Sequence, residues 1–283
     1  MNNLLWVNHV NCWKTLKMKK LHKFIERYLH SLKILHIFTH DNINFNIMCN
    51  NRQSAASNLS NEQLQVLLTS QLGDGHIHTT NSHSTYYVTN CKYEEYINYK
   101  IQLLGDFFKN KRKLEKNGFC QTPIWEMRSK SSDILVDIRN MSIKDILDHL
   151  TDLGIALWFY DDGSLHKTDL YYNLNTHKFS EEIHRELFVP YFKDKWGITI
   201  TPTKEHKKDG REFWYCRIRK YEGAFTISEI LRKYYVSCYD YKIISSETIQ
   251  KWSKLQEELK SMGKDVYDFT PFQRGMMLKN ISL

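Results

Sequence analysis

The chain has 283 residues, of which 41% are hydrophobic and 25% charged, and a formal net charge of +8. This composition suits one large or two small folded domains and argues against a disordered or collagen-like chain. No apolar run is long enough for a membrane-spanning helix. The six cysteines include no C-x-x-C pair, and the N-terminus does not resemble a secretion signal. We therefore expect an intracellular protein of a reducing compartment.

The positive charge is unevenly distributed. Residues 1–57 carry eight Lys or Arg against two acidic residues, a net +6, which leaves +2 for the rest of the chain. We expect this stretch to be a loosely ordered basic extension that adds non-specific affinity for nucleic acid. In the remainder, basic residues concentrate in two segments, 109–130 and 204–220, with seven in each.

The first predicted helix starts at a capping box formed by Ser60 and Gln63. Leucines follow at helical spacing until Gly73 and Gly75 stop the helix, which would make Asp74 its last residue. An alternating stretch over 76–90 predicts a hairpin, and a helix follows around 93–108. The basic segment 109–130 predicts a second hairpin, with a short helix after it.

The same order of elements recurs in the second part of the chain. Thr151 is expected to cap a helix that ends at Gly163, followed by a hairpin over 165–176, a helix around 180–195 and the basic hairpin.

Four sequence matches at nearly constant offset support a duplication. The Asp-Gly pairs at 74 and 162 lie 88 positions apart, and the remaining matches join 92–97 to 178–183, 137–139 to 217–219 and 143–147 to 227–231. We predict an α+β fold of two pseudo-symmetric αββαββα halves, 58–149 and 150–245, with a C-terminal helix and tail over 246–283.

Asp74 and Asp162 each follow an apolar helix. A carboxylate at a helix C-terminus faces the negative end of the helix dipole, which costs about 0.3–1 kcal/mol unless a cation lies beside it. If the two helices pack side by side about a pseudo-twofold axis, the carboxylates converge into an oxygen-only site for a hard divalent cation. Mg²⁺ is the expected ion, with Mn²⁺ as an alternative. The plainer interpretation is that each Asp-Gly pair only ends a helix or forms a turn.

Two motifs carry a family resemblance. Gln71-Leu72-Gly73-Asp74-Gly75 and the segment 157–164, Leu-Trp-Phe-Tyr-Asp-Asp-Gly-Ser, resemble the two signature helices of the LAGLIDADG homing endonucleases. The resemblance covers roughly residues 58–245. It implies two saddle-shaped antiparallel sheets backed by helices and joined at the motif helices. It also implies a monomer that cuts both strands of a long, nearly asymmetric double-stranded DNA site with a divalent metal.

The resemblance implies roles for residues around the two carboxylates. Asp162 would bind metal together with Asp74, helped by Gly73 and by Asp161, the latter through its carbonyl or as a surface carboxylate. Asn175 would orient water, unless it makes only a strand-end hydrogen bond.

A basic residue is expected near the phosphate in each half. Lys242 matches the family lysine, and Arg139 stands where a second one is expected, with Lys144 as competitor. A solvated surface charge is the alternative for each of these residues.

DNA recognition is assigned to the two basic hairpins, because a two-stranded ribbon fits the major groove. The candidate DNA-binding residues are Arg128, Lys130, Arg139, Lys204, Lys207, Lys208, Arg211, Arg217 and Arg219. The alternative is a sheet face that is charged for solubility.

Two other functions fit the same scaffold: an RNA maturase that binds intron RNA, and a regulator that binds DNA without cutting it. Both carboxylates are retained, which favours cleavage. His76 and His78 alternate along a strand without further ligands, so we do not expect zinc. The resemblance places the protein in an organelle matrix or in the cytoplasm of a phage- or virus-infected cell.

Overall fold

The computed structural model describes residues 59–115 and 122–282. The basic extension over 1–57 lies outside the described residues, so its predicted order and role stay predictions. Among the described helices, none combines the length and the apolar character needed to cross a membrane.

In its described residues, the first half contains four α-helices, a short 3₁₀ helix (Gly105–Phe107) and a four-stranded antiparallel sheet with strand order β1-β2-β4-β3. Its elements are α1 (Asn61–Thr69), β1 (His76–Thr79), β2 (Thr85–Cys91), α2 (Glu94–Leu104), β3 (Phe108–Leu114), β4 (Ile124–Ser129), α3 (Ile134–Arg139) and α4 (Ile143–His149).

The second half repeats this arrangement, with strand order β5-β6-β8-β7. Its elements are α5 (Asp152–Asp162), β5 (Gly163–His166), β6 (Tyr171–Leu174), α6 (Glu181–Ile183), the π-helical stretch His184–Phe188, α7 (Val189–Trp196), β7 (Thr201–His206), β8 (Glu212–Ile218), α8 (Tyr221–Lys233) and a 3₁₀ segment (Ser237–Lys242). The predicted α+β fold with two similar halves is confirmed.

One of the four sequence matches that support the duplication does not join equivalent elements of the two halves. Residues 137–139 lie in α3, whereas residues 217–219 lie at the end of β8. The match at 143–147 and 227–231 joins two helical segments, α4 and α8. A three-residue match can therefore arise by chance even inside a true duplication.

The helix α1 begins as predicted but ends early. The Ser60 hydroxyl accepts a hydrogen bond from the Gln63 N–H, and the Gln63 side chain accepts one from the Ser60 N–H. The helix ends at Thr69, so the prediction that Asp74 is its last residue is wrong. The Thr69 and Ser70 hydroxyls donate to carbonyls of the preceding turn, at 2.9 Å to Gln65 O and 2.6 Å to Leu67 O. Such bonds compete with the helical pattern and loosen a helix end.

The helices α1 and α5 pack side by side at the centre of the molecule. Leu153 through Tyr160 are buried without interruption, so α5 is apolar on every side and forms the core of the second half. Thr151 makes no side-chain cap, contrary to the prediction. Its N–H instead donates to Gln65 Oε1 at 2.9 Å, and this bond joins the start of α5 to α1.

The segment after residue 245 contains two helices rather than one helix and a tail. These are α9 (Ser246–Ser261) and α10 (Pro271–Asn280), with a short 3₁₀ turn between them. The Trp252 ring stacks on the ring of Tyr221, with 4.8 Å between centroids, and Tyr267 stacks on the same ring at 5.6 Å. This aromatic stack attaches the C-terminal helices to the start of α8.

Candidate functional site

The C-terminal ends of the two central helices bring Asp74 and Asp162 into one region. Asp162 is the last residue of α5, and Asp74 follows the turn after α1. The approach is tightest at Gly73, where an added Cβ would lie 3.0 Å from Asp162 Oδ2 and 3.1 Å from Asp161 Cβ. A side chain at position 73 would therefore push the two motifs apart.

The two carboxylates share an unfavourable electrostatic environment. Desolvation, then Asp74 and Asp161, raise the pKa of Asp162 to about 8. The Asp74 residue is exposed to solvent. Partial desolvation by the surrounding protein, and then the Asp161 carboxylate, nevertheless raise the pKa of Asp74 as well. Within the described part of the chain, neither carboxylate accepts a hydrogen bond or lies within ion-pair distance of a basic side chain. A divalent cation would relieve this repulsion, so the two oxygen donors fit Mg²⁺ or Mn²⁺.

Asp161 does not present a surface carboxylate, so that expectation is wrong. Its side chain is 3% exposed and forms an ion pair with Lys100, whose Nζ donates to both carboxylate oxygens at 2.8 and 2.9 Å. The Tyr96 hydroxyl donates to the same carboxylate at 2.8 Å. These contacts leave its backbone carbonyl as the oxygen available to the site.

Lys242 is buried, so the alternative interpretation of this residue as a solvated surface charge is wrong. Its Nζ donates to the carbonyls of Tyr160 at 2.6 Å and Phe159 at 3.1 Å, and lies 4.6 Å from the centre of the Tyr239 ring. Burial lowers the pKa of Lys242 to about 8, although Asp161, Asp162 and Asp74 act against the shift. The ammonium group therefore stabilises the carbonyl end of α5, where the helix dipole is negative.

Lys178 is a site residue that the sequence motifs did not indicate. Its Nζ donates to Gly73 O at 3.3 Å, and its charge favours the ionised forms of Asp74 and Asp162. The sequence held a signal for it, since Lys178 opens the second copy of the duplicated segment 178–183. The repeat shows that Lys178 is equivalent to Lys92, but the sequence does not show how far Lys178 lies from the two carboxylates.

Asn175 lies directly beside the second carboxylate. Its N–H donates to Asp162 O at 3.0 Å, so the end of β6 is fixed to the end of α5. Its side chain is exposed.

Arg139 and its competitor Lys144 have partners away from the two carboxylates. The Arg139 guanidinium donates to Thr79 Oγ1 at 2.5 Å, and Lys144 pairs with Asp148 at 2.5 Å. The lysines whose charges act on Asp74 are Lys100, Lys242 and Lys178.

The outer face of the first sheet, away from the helices, carries Arg128. Its Nε lies 2.9 Å from Glu126 Oε1, which also pairs with Arg112 at 2.7 Å. The Arg128 guanidinium lies 5.3 Å from the Tyr86 ring. Lys130 follows β4 and is exposed.

Arg217 has the same position on the outer face of the second sheet. Its Nε donates to Asn173 Oδ1 at 2.9 Å, and its guanidinium lies 4.9 Å from the Tyr171 ring and 5.2 Å from the Tyr215 ring. Arg219 follows the last residue of β8 and is exposed.

Lys204 lies on the opposite face, towards the helices. It is the cross-strand partner of Trp214, whose ring lies 6.4 Å from that of the buried His184. Its Nζ pairs with Glu212 at 2.5 Å. The structure therefore separates Lys204 from Arg217, and the assignment of both to one DNA-reading face is wrong. Alternation along two strands places successive residues on opposite faces, and only the register decides which face each takes.

The turn between β7 and β8 presents the other basic candidates. Lys207 pairs with Glu205 at 2.5 Å, Arg211 pairs with Asp209 at 2.7 Å, and Lys208 is exposed.

In the ranges 59–115 and 122–282, no three His, Cys, Asp or Glu side chains form a group that could hold a metal ion. A cation beside Asp74 and Asp162 would therefore need backbone carbonyls, water or phosphate oxygens to complete its coordination.

Comparison with solved structures finds several chains of similar fold. The homing endonuclease I-WcaI bound to its DNA recognition sequence shares 16% identity at a TM-score of 0.54, covering 70% of this chain and 96% of that one. An I-DmoI variant in complex with nicked target DNA and Mn shares 14% at a TM-score of 0.44, over 64% of this chain and 100% of its own. The meganuclease I-AabMI bound to uncleaved DNA shares 10% at a TM-score of 0.35, over 78% of this chain and 98% of its own.

No curated protein matches the chain. Residues 64–224, more than half of its length, match the LAGLIDADG DNA endonuclease family. This range contains both Asp-Gly motifs and both sheets, so the chain belongs to the LAGLIDADG DNA endonuclease family.

Proposed function

We propose that this endonuclease cuts both strands of a long, nearly asymmetric DNA site by divalent-metal-dependent hydrolysis, with Asp74 and Asp162 as the metal-binding carboxylates. The observation that carries the proposal is the approach of the two motifs at Gly73, which leaves two carboxylates together with no basic partner in ion-pair contact among the described residues. Because one chain supplies both carboxylates, a monomer is sufficient for both cuts.

Mg²⁺ or Mn²⁺ would be held by the carboxylates of Asp74 and Asp162 and by the backbone carbonyls of Gly73 and Asp161. When bound, such an ion lowers the pKa of water and neutralises charge on the scissile phosphate and the leaving oxygen. The protein contributes a fixed pair of oxygen donors whose mutual repulsion disfavours the metal-free state.

Three further side chains act beside the metal ligands. Lys178 and Lys242 supply positive charge next to the carboxylates, where it stabilises charge that develops on the phosphate. Asn175 is fixed to Asp162 through its backbone and presents an exposed amide that can orient a water molecule.

The two outer sheet faces read the DNA, with Arg128 and Arg217 as matching base-reading residues in the two halves. Arg128 is held by Glu126, and Arg217 by the Asn173 amide and the Tyr215 hydroxyl. Each guanidinium also lies against a tyrosine ring, so its orientation is restricted before DNA binds. An arginine side chain whose orientation is already restricted is suited to bidentate contact with guanine. The exposed basic residues Lys130, Lys207, Lys208, Arg211 and Arg219 contribute phosphate contacts.

The first prediction is that Asp74→Asn or Asp162→Asn abolishes double-strand cleavage and leaves DNA binding almost unchanged, because each side chain holds metal and adds little contact area. The substrate is a duplex selected from a randomised library with Mg²⁺, and nicking of each labelled strand is followed separately. Asp148→Asn serves as control, since Asp148 is exposed and its carboxylate forms an ion pair with Lys144.

Near wild-type cutting of both strands by both variants would refute the assignment of the two carboxylates. A wild-type protein that binds a selected duplex in Mg²⁺ and never cuts it would instead indicate a DNA-binding regulator.

A further inference from the structure

The most deeply buried ion pair among the described residues joins the two halves. Lys100 in α2 of the first half is 1% exposed, and Asp161 at the end of α5 in the second half is 3% exposed. The Lys100 Nζ donates to both Asp161 oxygens at 2.8 and 2.9 Å. Asp161 directly precedes the proposed metal ligand Asp162, so the pair lies immediately behind the site.

The chemistry of this pair favours a fixed geometry. Removing two charges from water is costly, and the cost is recovered only when the partners are well aligned and their remaining valences are filled. Burial acts to lower the pKa of Lys100, but Asp161, together with Tyr87 and Asp74, raises that pKa above its ordinary value. The Tyr96 hydroxyl fills a third position on Asp161 at 2.8 Å. The carboxylate is therefore held from α2 by two side chains, one turn apart.

The same network reaches the buried lysine of the site. The ring of Tyr96 meets that of Tyr239 edge to face, with 4.9 Å between centroids, and the Lys242 Nζ lies over Tyr239. Lys242 in turn donates to the carbonyls of Phe159 and Tyr160. The last turn of α5 is thus held by two lysines, one from each half, on either side of a tyrosine cluster.

The pair has no counterpart at the other carboxylate. The residue that precedes Asp74 is Gly73, which has no side chain to pair. The helices that follow the first hairpin of each half begin at Glu94 and Glu181, so the residue equivalent to Lys100 is Leu187. Leu187 borders a surface groove of about 420 Å³ away from the site. Asp74 is supported differently: the Lys178 Nζ donates to Gly73 O, and the Gly73 N–H donates to Thr69 O.

We propose that Lys100 is a positioning residue for Asp162: through Asp161 it fixes the end of the second motif helix, and it does so for one of the two metal-binding carboxylates only. The inference rests on the proposed function of Asp74 and Asp162. Its consequence is an intrinsic difference between the two cuts: loss of the pair displaces Asp162, whereas Asp74 loses only the charge of Lys100, which makes no direct contact with it, and keeps the bond from Lys178 to Gly73 O.

The test compares Lys100→Gln, Asp161→Asn and Lys100→Arg with wild type in the full-length protein. Lys111→Gln is the matched control, because Lys111 also pairs with α2, through Glu94 at 2.7 Å, but on the exposed side of the helix. Four quantities are measured: the cleavage rate of each labelled strand at saturating DNA, the Kd for DNA in Ca²⁺, the Mn²⁺ affinity of the DNA complex by electron paramagnetic resonance, and the free energy of unfolding.

We expect Lys100→Gln and Asp161→Asn to slow the same strand by about 10–100-fold, the range typical of residues that orient metal ligands. The other strand should be cut at nearly the wild-type rate, so that one nicked product accumulates. The Mn²⁺ affinity should fall while the Kd for DNA stays unchanged. Lys100→Arg, which keeps the charge, should restore the balance between strands, and Lys111→Gln should leave it unaltered.

The proposal is overturned if both strands slow by the same factor in step with a loss of stability, or if Mn²⁺ affinity is unchanged in Lys100→Gln and Asp161→Asn. The Mn²⁺ measurement does not depend on cleavage, so it tests Lys100 even if the wild-type protein proves unable to cut. A wild-type protein that does not cut would refute the proposed cleavage activity. An unchanged Mn²⁺ affinity in the variants would separately refute the positioning role of Lys100.

Discussion

Individual buried polar residues support the site from the protein interior, and His184 is the clearest example. Its ring is fully buried, with Nδ1 2.7 Å from Ser180 O and Nε2 2.6 Å from Thr176 Oγ1. A carbonyl can only accept, so Nδ1 carries a proton. Burial lowers the pKa of the ring and so favours its neutral form, in which Nε2 accepts from the threonine hydroxyl. Thr176 follows Asn175, whose N–H binds Asp162 O, so His184 supports the strand end beside the second carboxylate.

At this scale we predict that His184 makes the fold sensitive to acid. Burial lowers the pKa of His184 below its ordinary value of 6.5, so below that pH the unfolded chain binds a proton that the folded one does not. The stabilisation is complete above pH 6.5 and is lost as pH falls towards the folded pKa. The unfolding free energy of His184→Gln should depend less steeply on pH than that of wild type as pH falls below 6.5. His78→Gln, at an exposed strand position, is the control. Equal slopes for wild type and His184→Gln would contradict the assignment.

At the scale of elements, the packing of α1 against α5 depends on one amide and one glycine. The Gln65 side chain donates to His149 O at 3.0 Å and accepts from the Thr151 N–H, so it bridges the end of α4 and the start of α5. Gly154 lies opposite this amide. A Cβ there would collide with Gln65 Oε1 and lie 2.7 Å from Leu150 Cδ2. The central helices can approach each other only because position 154 has no side chain.

Gly154→Ala should therefore lower the free energy of unfolding by about 1–3 kcal/mol, the usual cost of overpacking a core. The matched control is Gly275→Ala in α10, where the nearest atom, Thr168 O, is 3.9 Å from the added Cβ. That change should be neutral or stabilising by up to about 1 kcal/mol, because alanine favours helix over glycine. Chemical denaturation of both variants gives the comparison. A Gly154→Ala protein as stable as Gly275→Ala would mean that the helix interface yields without cost.

At the scale of the whole molecule, the basic residues divide between two kinds of surface. Arg128 and Arg217 lie on the outer faces of the two sheets, at matching positions beside tyrosine rings. The turn lysines Lys207 and Lys208 extend from the tip of a hairpin, and Lys204 lies on the helix side of the same ribbon. Distance from the sheet face sets what each residue can reach: a base edge for the arginines and the phosphate backbone for the turn lysines.

The corresponding variants should behave differently on DNA. Replacing Lys207 and Lys208 with Ala should weaken binding to all sequences alike and reduce the salt slope by about one unit for each phosphate that the variant no longer neutralises. Arg217→Ala should relax the preference at one target position, at a cost of about 1–3 kcal/mol. Lys204→Ala is the control from the opposite face and should leave every base preference in place. Binding across salt concentrations and single-base target variants measures both effects. If Arg217→Ala leaves the preference unchanged at every position, the outer face of the second sheet does not read bases.

The local patterns of the sequence were enough to predict the duplicated fold, the Ser60 capping box and the two Asp-Gly motifs that the fold brings together. These depend on neighbouring residues: a cap followed by an apolar helix, a glycine after it, and strands of alternating polarity. Asp74 and Asp162 were predictable because each lies directly before such a glycine, and repetition of the unit placed them in equivalent positions.

Tertiary structure decided the surroundings of the two carboxylates. Lys100 and Asp161 are 61 residues apart, and Lys178 and Gly73 are 105 apart, so no local spacing could pair them. The face taken by Lys204 depended on strand register, and the early end of α1 on whether two hydroxyls turned towards the helix or the solvent. Which lysine lies near which carboxylate follows from the packing of the two halves, because only there do side chains from distant parts of the chain come together.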